Sequence, residues 1–503
     1  MSVGLAQTNG APEMNERTMT SSRISMSEEQ ESSSDIPLVI DLDGSLVRTD
    51  LLYESFFASI KDGIKHHWSV LAALSRGKAA LKAYLAGAST IDYELLPYNS
   101  DVLDLIRAAK SEGRRVYLAT ATDRRHAEGI ATHLGMFDGV FSSDGVVNLS
   151  GGAKARALID AFGDRRFDYL GNSTADLAIW AHARQAYVAS NSATLKHKAG
   201  PSDVPATQIV APKPSLRAWS KALRVHQYAK NALIFVPLLT AHAYSLHYFL
   251  NAVLAFVAFS LCASSAYLLN DLIDLPADRQ HPSKKTRPFA SGEIPIAHGV
   301  IAIPILLLIA AACAALTSFL FVVVMSAYLV LTLAYSFTLK RRLMVDIVVL
   351  ASLYTTRVIA GAAALPVVPS EWLLAFSMFI FTCLALVKRY VELAMRLDRE
   401  LPDPTNRNYR RIDLPIVGAL AAASGFNAVT IFALYVSSPA VLEHYRHPEL
   451  LWLICPVLMY WISRIVILAH RRAMDDDPIV FALRDRNSRI CGAAMIALVL
   501  SAS

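Results

Sequence analysis

From about Tyr228 to the end of the chain, apolar runs long enough to cross a bilayer recur one after another. About 20 residues of helix span the hydrocarbon. A spanning helix also satisfies its own backbone hydrogen bonds, which lipid cannot do. Nine such runs are predicted, at roughly 229–243, 247–269, 297–316, 319–337, 344–365, 372–388, 415–436, 450–469 and 490–503. The expected architecture for residues 213–503 is therefore an all-α integral membrane bundle of about nine transmembrane helices. All five cysteines (Cys262, Cys313, Cys383, Cys455, Cys491) fall inside these runs, with no disulfide or zinc spacing.

The remainder of the chain differs in kind. Residues 1–35 are rich in Ser, Glu and Met with no long apolar run, which predicts disorder. They lack a basic stretch followed by an apolar one, so they do not read as a secretory signal. Residues 36–212 read as an ordinary soluble domain. The chain is 54% hydrophobic and 18% charged with a net charge of +6. That positive balance sits in alternate loops. Lys and Arg crowd the segments before run 1 and after runs 2, 4, 6 and 8, while the opposite loops contain only Arg446. The positive-inside rule then places the basic loops in the cytoplasm. The charge describes a membrane topology, and no nucleic-acid surface is expected.

The densest charge lies between two apolar runs, in "NDLIDLPADRQHPSKKTRP". Asp271, Asp274 and Asp278 at i, i+3 and i+7 fall on one face of a helix leaving the membrane, with a kink expected at Pro276. Carboxylates held together repel unless a cation separates them, and hard oxygen clusters suit Mg²⁺ that also binds substrate phosphates. Arg279, Lys284, Lys285 and Arg287 supply counter-charge for phosphate oxygens. A solvated linker with helix-end ion pairs is the plainer account of this stretch alone. The next basic loop, "YSFTLKRRLMVDIVVLASLYTTRVIAGAAA", carries Tyr335, Lys340, Arg341 and Asp346, then Tyr354 and Arg357 within an apolar run. An ionisable residue inside the membrane marks a functional or paired site. "LVKRYVEL" adds Lys388 and Arg389 after run 6.

"NDLIDLPADRQHPSKKTRP" resembles the first aspartate-rich motif of the UbiA superfamily of membrane transferases, and "YSFTLKRRLMVD" resembles its second. The resemblance covers about residues 213–503. In most members these motifs bind the Mg²⁺-diphosphate of a prenyl donor, and an aromatic acceptor is prenylated. Here the second motif has one acid, Asp346, where prenyltransferases present two; position 350 is Leu. "WSKALRVHQYAKN", "SLYTTRVIAG", "SEWLLAFSMF", "VKRYVEL" and "DDDPIVFALRDRNS" resemble the decaprenyl-phosphate phosphoribosyltransferase branch. That branch moves phosphoribose from phosphoribosyl diphosphate to a polyprenyl phosphate. The resemblance implies Mg²⁺ on Asp271, Asp274 and Asp278, with Asn270 adding or orienting a ligand. Lys230, Lys340, Arg357, Lys388 and Arg389 are the expected phosphate clamps, and Tyr335, Arg341, Asp346 and Tyr354 complete the substrate site.

In residues 36–212, "IPLVIDLDGSLVRTD" reads as a buried strand delivering Asp41 and Asp43 at its carboxyl end, where open parallel sheets bind ligands. It resembles the first motif of the haloacid dehalogenase superfamily, over about residues 36–195. That implies an α/β Rossmann-like domain with a small helical cap at 50–98. By this resemblance Asp41 is a nucleophile toward phosphate and Asp43 an acid/base. Thr120 (or Thr122) holds the phosphate, and Lys154 is the family's lysine. Asp41, Asp43, Asn172 and Asp176 are the implied Mg²⁺ ligands. "GNSTAD" departs from the family's GDxxxD by placing Asn172 where an acid is usual.

The linker around 196–215 is short, so the two domains should work side by side. The expected product is a lipid-linked ribose for envelope glycans, and the sequence leaves a homo-oligomer open. Two other readings are a prenyltransferase acting on an aromatic or quinone-type acceptor, and a transporter. Against the transporter, the acids cluster at one membrane face and not at the midplane.

Overall fold

The run Leu38–Ile40 has no exposed side chain and forms the centre of a six-stranded, wholly parallel sheet. The strands are β1 (Leu38–Ile40), β2 (Val116–Asp123), β3 (Gly139–Ser143), β4 (Asp168–Gly171), β5 (Gln185–Val188) and β6 (Ala206–Gln208), in the order β3-β2-β1-β4-β5-β6. Such sheets are covered on both faces, so their central strands are apolar throughout. Leu38 and Ile40 pack with Val102, Ile106 and Ile130 on one face, while Val39 packs with Leu158, Ile179 and Trp180 on the other. The strand order reverses between β1 and β4, which opens a crevice beyond their carboxyl ends. A computed structural model describes residues 35–503, other than 62–66, 201–204, 210–213, 242–244, 282, 405–406, 440, 442–444 and 475–476. The disorder expected for the first residues concerns 1–34, which lie outside the described residues, as does part of the expected linker.

Between β1 and β2 the chain is helical, as expected, with Leu51–Lys61, His67–Ser75 and Lys78–Ala88. The first of these does more than cap the sheet. Its Phe57 is buried in a cluster with Ala218, Leu268, Leu272 and Phe289 from the membrane half.

Seven helices among the described residues are long and apolar enough to cross a membrane. They are Leu246–Ile273, Ile296–Ala315, Phe319–Phe337, Val345–Ala364, Glu371–Asp398, Arg411–Val436 and Pro448–His470. The other two predicted runs are shorter. The first is a 3-10 helix, Val225–Phe235, continued by the five-residue helix Val236–Thr240. The last, Arg486–Ala502, has 17 residues. Val345–Ala364 and Leu246–Ile273 form the interior, 67% and 61% buried, whereas Ile296–Ala315 is 17% buried and turns its apolar side chains outward. Outward-facing Leu and Ile match lipid in a membrane, where in water they would be a liability.

The 3-10 segment is wedged between the two interior helices. A Cβ on Gly361 would lie 2.1 Å from the carbonyl oxygen of Ile234. That close backbone approach leaves no flexible side chain to yield. Tyr228 and Ser264 (2.9 Å), and Asn231 and Ser260 (2.9 Å), hydrogen-bond the segment to Leu246–Ile273. Gly361→Val is therefore expected to destabilise the protein by about 1–3 kcal/mol or more. A lower unfolding midpoint and loss of a monodisperse peak in detergent are the readouts.

Candidate active sites

Helix Leu246–Ile273 stops at the aspartate-rich segment. Asp274 closes it, with its N–H bonded to the Asn270 carbonyl (2.9 Å), and a short helix, Leu275–Gln280, starts with Pro276 in its first turn. The break at Asp274 rotates the three carboxylates away from the single face that an unbroken helix would give. Arg287 Nη1 donates to both Asp271 (3.0 Å) and Asp278 (2.6 Å), and Arg224 donates to Asp271 (2.5 Å). Asp274 turns aside, to Asn270 (3.2 Å) and Lys340 (3.5 Å). Asp271 and Asp278 thus share one cation position and Asp274 stands beside it. Burial raises the Asp278 carboxyl above its usual range and Arg287 opposes that rise. Burial lowers the Lys284 ammonium. Lys285 and Arg341 are exposed.

Asp346 lies in a second, separate network. It is fully buried and accepts from Arg389 Nε (2.8 Å), Tyr409 OH (2.6 Å) and Arg407 (3.3 Å). Arg407 also donates to Tyr335 OH (3.2 Å), and Arg389 is bonded to Glu392. Three donors thus surround Asp346 in a dry interior and seat it against its own bases. Arg279, expected to supply counter-charge for phosphate oxygens, is buried against Glu54 of the α/β half (2.6 and 3.1 Å).

A third group lies along the 3-10 segment. Lys230 is bonded to Asp477, and Lys388 lies 3.7 Å from the same carboxylate. Burial alone would raise the Asp477 carboxyl, but the two lysines hold it below its usual range. The Lys230 ammonium sits 5.6 Å from the Tyr354 ring centre. Deeper still, Arg357 is bonded to Asn231 (2.9 Å), Tyr328 (3.1 Å) and the Leu353 carbonyl, with Phe259, Tyr328 and Tyr354 rings around it. It has no carboxylate partner among the described residues. Arg224, Arg407, Tyr409, Asp477 and Glu54 were not singled out from sequence. The basic loops contained the arginines, but nothing local marked their partners.

In the α/β half, Asp41 accepts from Lys154 Nζ (2.7 Å) and Ser45 (3.0 Å). Asp43 accepts from Thr122 (2.5 Å), the Leu51 N–H (2.9 Å) and, at 3.5 Å, Thr120. Burial pushes both carboxyls up to about 6, opposed at Asp41 by Lys154. Asp176 is buried and accepts from Tyr169 (2.9 Å) and from Ser173 through both its N–H and its hydroxyl (2.9 Å each). Gly44 has φ +74, and a Cβ there would strike the Asn172 amide at 2.1 Å, so Asn172 lies directly on the Asp43–Gly44 turn. From the cap helix Lys78–Ala88, Lys82 donates to the Ala121 carbonyl (2.7 Å). Burial lowers its ammonium while Asp43 and Asp50 raise it. Among the described residues, no three His, Cys, Asp or Glu side chains converge as a metal cluster.

Residues 232–487 match the UbiA prenyltransferase family, and the chain belongs to that family. It is a multi-pass membrane protein. It is 37% identical over 462 residues to the uncharacterized protein y4nM of Sinorhizobium fredii, covering 91% of this chain and 89% of that one. A match of that extent includes the α/β half as well as the membrane half. It is 34% identical over 281 residues to the nodulation protein NoeC of Azorhizobium caulinodans, covering 56% of this chain and 92% of that one. It is 38% identical over 178 residues to a decaprenyl-phosphate phosphoribosyltransferase of Mycobacterium tuberculosis, covering 34% of this chain and 59% of that one.

Asp346→Ala should leave the Arg389 Nε buried and unsatisfied, with Glu392 as the remaining acid, at a cost of about 1–3 kcal/mol. A drop in the unfolding midpoint of the substrate-free protein checks this; a ligand acting on substrate alone would leave it unchanged.

Proposed function

We propose that the membrane half transfers 5-phosphoribose from phosphoribosyl diphosphate to a polyprenyl phosphate, and that the α/β half then removes the 5-phosphate. The carrying observation is the cation position shared by Asp271 and Asp278, beside bases that exceed the local acids in reach. The likeness to decaprenyl-phosphate phosphoribosyltransferases supports the choice of donor and acceptor. Two carboxylates with substrate phosphates make an ordinary Mg²⁺ site, and this donor set fits one. Mg²⁺ bound there would neutralise the departing diphosphate.

The residues of the chain do the rest. In the transfer step the C1–O bond to diphosphate breaks and a C1–O bond to the lipid phosphate forms. Lys230, Lys388 and Arg357 hold phosphate oxygens, and Lys340 reaches the same mouth through Asp274. The acceptor is already an anion, so no base has to remove a proton. Positioning and preorganised charge carry the rate. The cytoplasmic side is the reading of the loop charges, with the α/β half beside it.

For the α/β half we read Asp41 as nucleophile and Asp43 as acid/base, in a haloacid dehalogenase-like site. Lys154 on Asp41 and the crevice between β1 and β4 support this. A carboxyl titrating near 6 suits a group that gives and takes a proton at neutral pH. Thr120 or Thr122 would hold the phosphate, and Asn172 and Asp176 would complete a Mg²⁺ site with the two aspartates.

The family's description as prenyltransferases favours a second reading, in which a prenyl group moves from a prenyl diphosphate to the aromatic or quinone-type acceptor considered above. One assay separates the two: purified protein, Mg²⁺, radiolabelled phosphoribosyl diphosphate and polyprenyl phosphate, with counts followed into the lipid phase. Asp271→Ala should reduce the counts by about 10²-fold or more, and chelation of Mg²⁺ should do the same. Asp41→Asn should keep the counts and accumulate the phosphorylated lipid. Transfer from prenyl diphosphate, with indifference to phosphoribosyl diphosphate, overturns the proposal.

A further inference from the structure

A cavity of about 560 Å³ opens at Asp43, Arg48 and Asn172, and the α/β half does not close it alone. Its far wall is Gly292, Glu293, Pro295, Ile296 and Ala297, from the membrane half. The two walls are locked together. Arg279 makes its two-pronged contact with Glu54 and donates to the Ala290 carbonyl (3.1 Å), and Thr49 from the cavity rim donates to Glu54 (2.8 Å). The facing surfaces meet without a gap at Gly292, where φ is +72 and a Cβ would come within 2.9 Å of the Arg48 Cβ.

Arg48 makes the cavity selective. One of its terminal nitrogens donates to Asn99 (3.3 Å), but its Nε is buried with no partner among the described residues. A buried, unpaired donor on a cation is costly until an acceptor completes it. The cavity therefore suits a phosphorylated ligand whose leaving-group oxygen faces Asp43 and whose further negative group faces Arg48.

We propose that residues 292–297 form part of the phosphatase pocket, held by the Glu54–Arg279 pair, so that the substrate is a phosphomonoester on a headgroup still anchored in the membrane through a second phosphate received by Arg48. This deepens the phosphatase reading above and rests on it. The Asp41 carboxylate oxygen bonds to phosphorus as the P–O bond to the sugar breaks, and Asp43 gives its proton to the leaving alkoxide. Water then cleaves the acyl phosphate, returning a proton to Asp43 and releasing inorganic phosphate.

The test uses the full chain in vesicles. It compares phosphate release from the labelled phosphorylated lipid, collected from the Asp41→Asn protein, with hydrolysis of p-nitrophenyl phosphate in water. Arg279→Glu is expected to lower the lipid rate relative to the p-nitrophenyl phosphate rate by about tenfold or more. The exchanged pair, Glu54→Arg with Arg279→Glu, is expected to restore the ratio. Ala297→Trp, which fills the cavity from the membrane side, should lower it again and decides the matter if the charge variants do not accumulate. A ratio unchanged by Ala297→Trp, or by a folded Arg279→Glu, overturns this inference but leaves an Asp41-dependent phosphatase standing. Absence of Asp41-dependent hydrolysis of either substrate overturns the phosphatase reading and this inference together.

Discussion

Asp271 and Asp278 can lie side by side at the end of a buried helix only because a guanidinium stands between them. In a medium of low permittivity two such carboxylates would otherwise repel, and one would take up a proton. The rest of the membrane half is arranged around this constraint. Leu246–Ile273 ends where the pair begins, Arg224 enters from a left-handed turn (φ 53), and the 3-10 segment that follows it brings Lys230 and Asn231 inward. The position needs a cation, and the Arg287 side chain supplies it.

The same logic explains which charges are fixed and which are available. Asp346 has three donors and serves to seat Arg389 in the interior. Asp477 has two lysines for one carboxylate, and Arg357 has aromatic faces, an amide and a carbonyl where an acid would usually be. Positive charge in excess of its local partners draws anions, and phosphates are the anions best matched to lysine and arginine. In the α/β half the balance is reversed, with Asp41, Asp43 and Asp176 gathered around Lys154.

The bundle was legible because hydropathy alone reports it, and so was the strand bearing Asp41 and Asp43, since a buried parallel strand has to be apolar. The run 229–243 reads as a span because composition cannot separate a membrane helix from a 3-10 segment wedged between helices, which Gly361 permits by letting Ile234 approach. The residues of the aspartate-rich segment were visible, but their arrangement was not. Periodicity with a kink at Pro276 puts the three carboxylates on one face, while the helix ends earlier, at Asp274. Partnerships such as Glu54 with Arg279, or Lys230 with Asp477, join positions more than two hundred residues apart, and no local pattern encodes them.

Two of the spanning helices, Leu246–Ile273 and Glu371–Asp398, have 28 residues each. At 1.5 Å per residue that is about 42 Å of helix, against a hydrocarbon layer of ~30 Å. The surplus lets one end of each, near Asp271 in the first and beyond Lys388 in the second, stand clear of the hydrocarbon as a polar ledge. An amphiphile could then present its phosphate on this raised ledge while its tail stayed in oil, and neither partner would have to be carried across the dielectric boundary to meet.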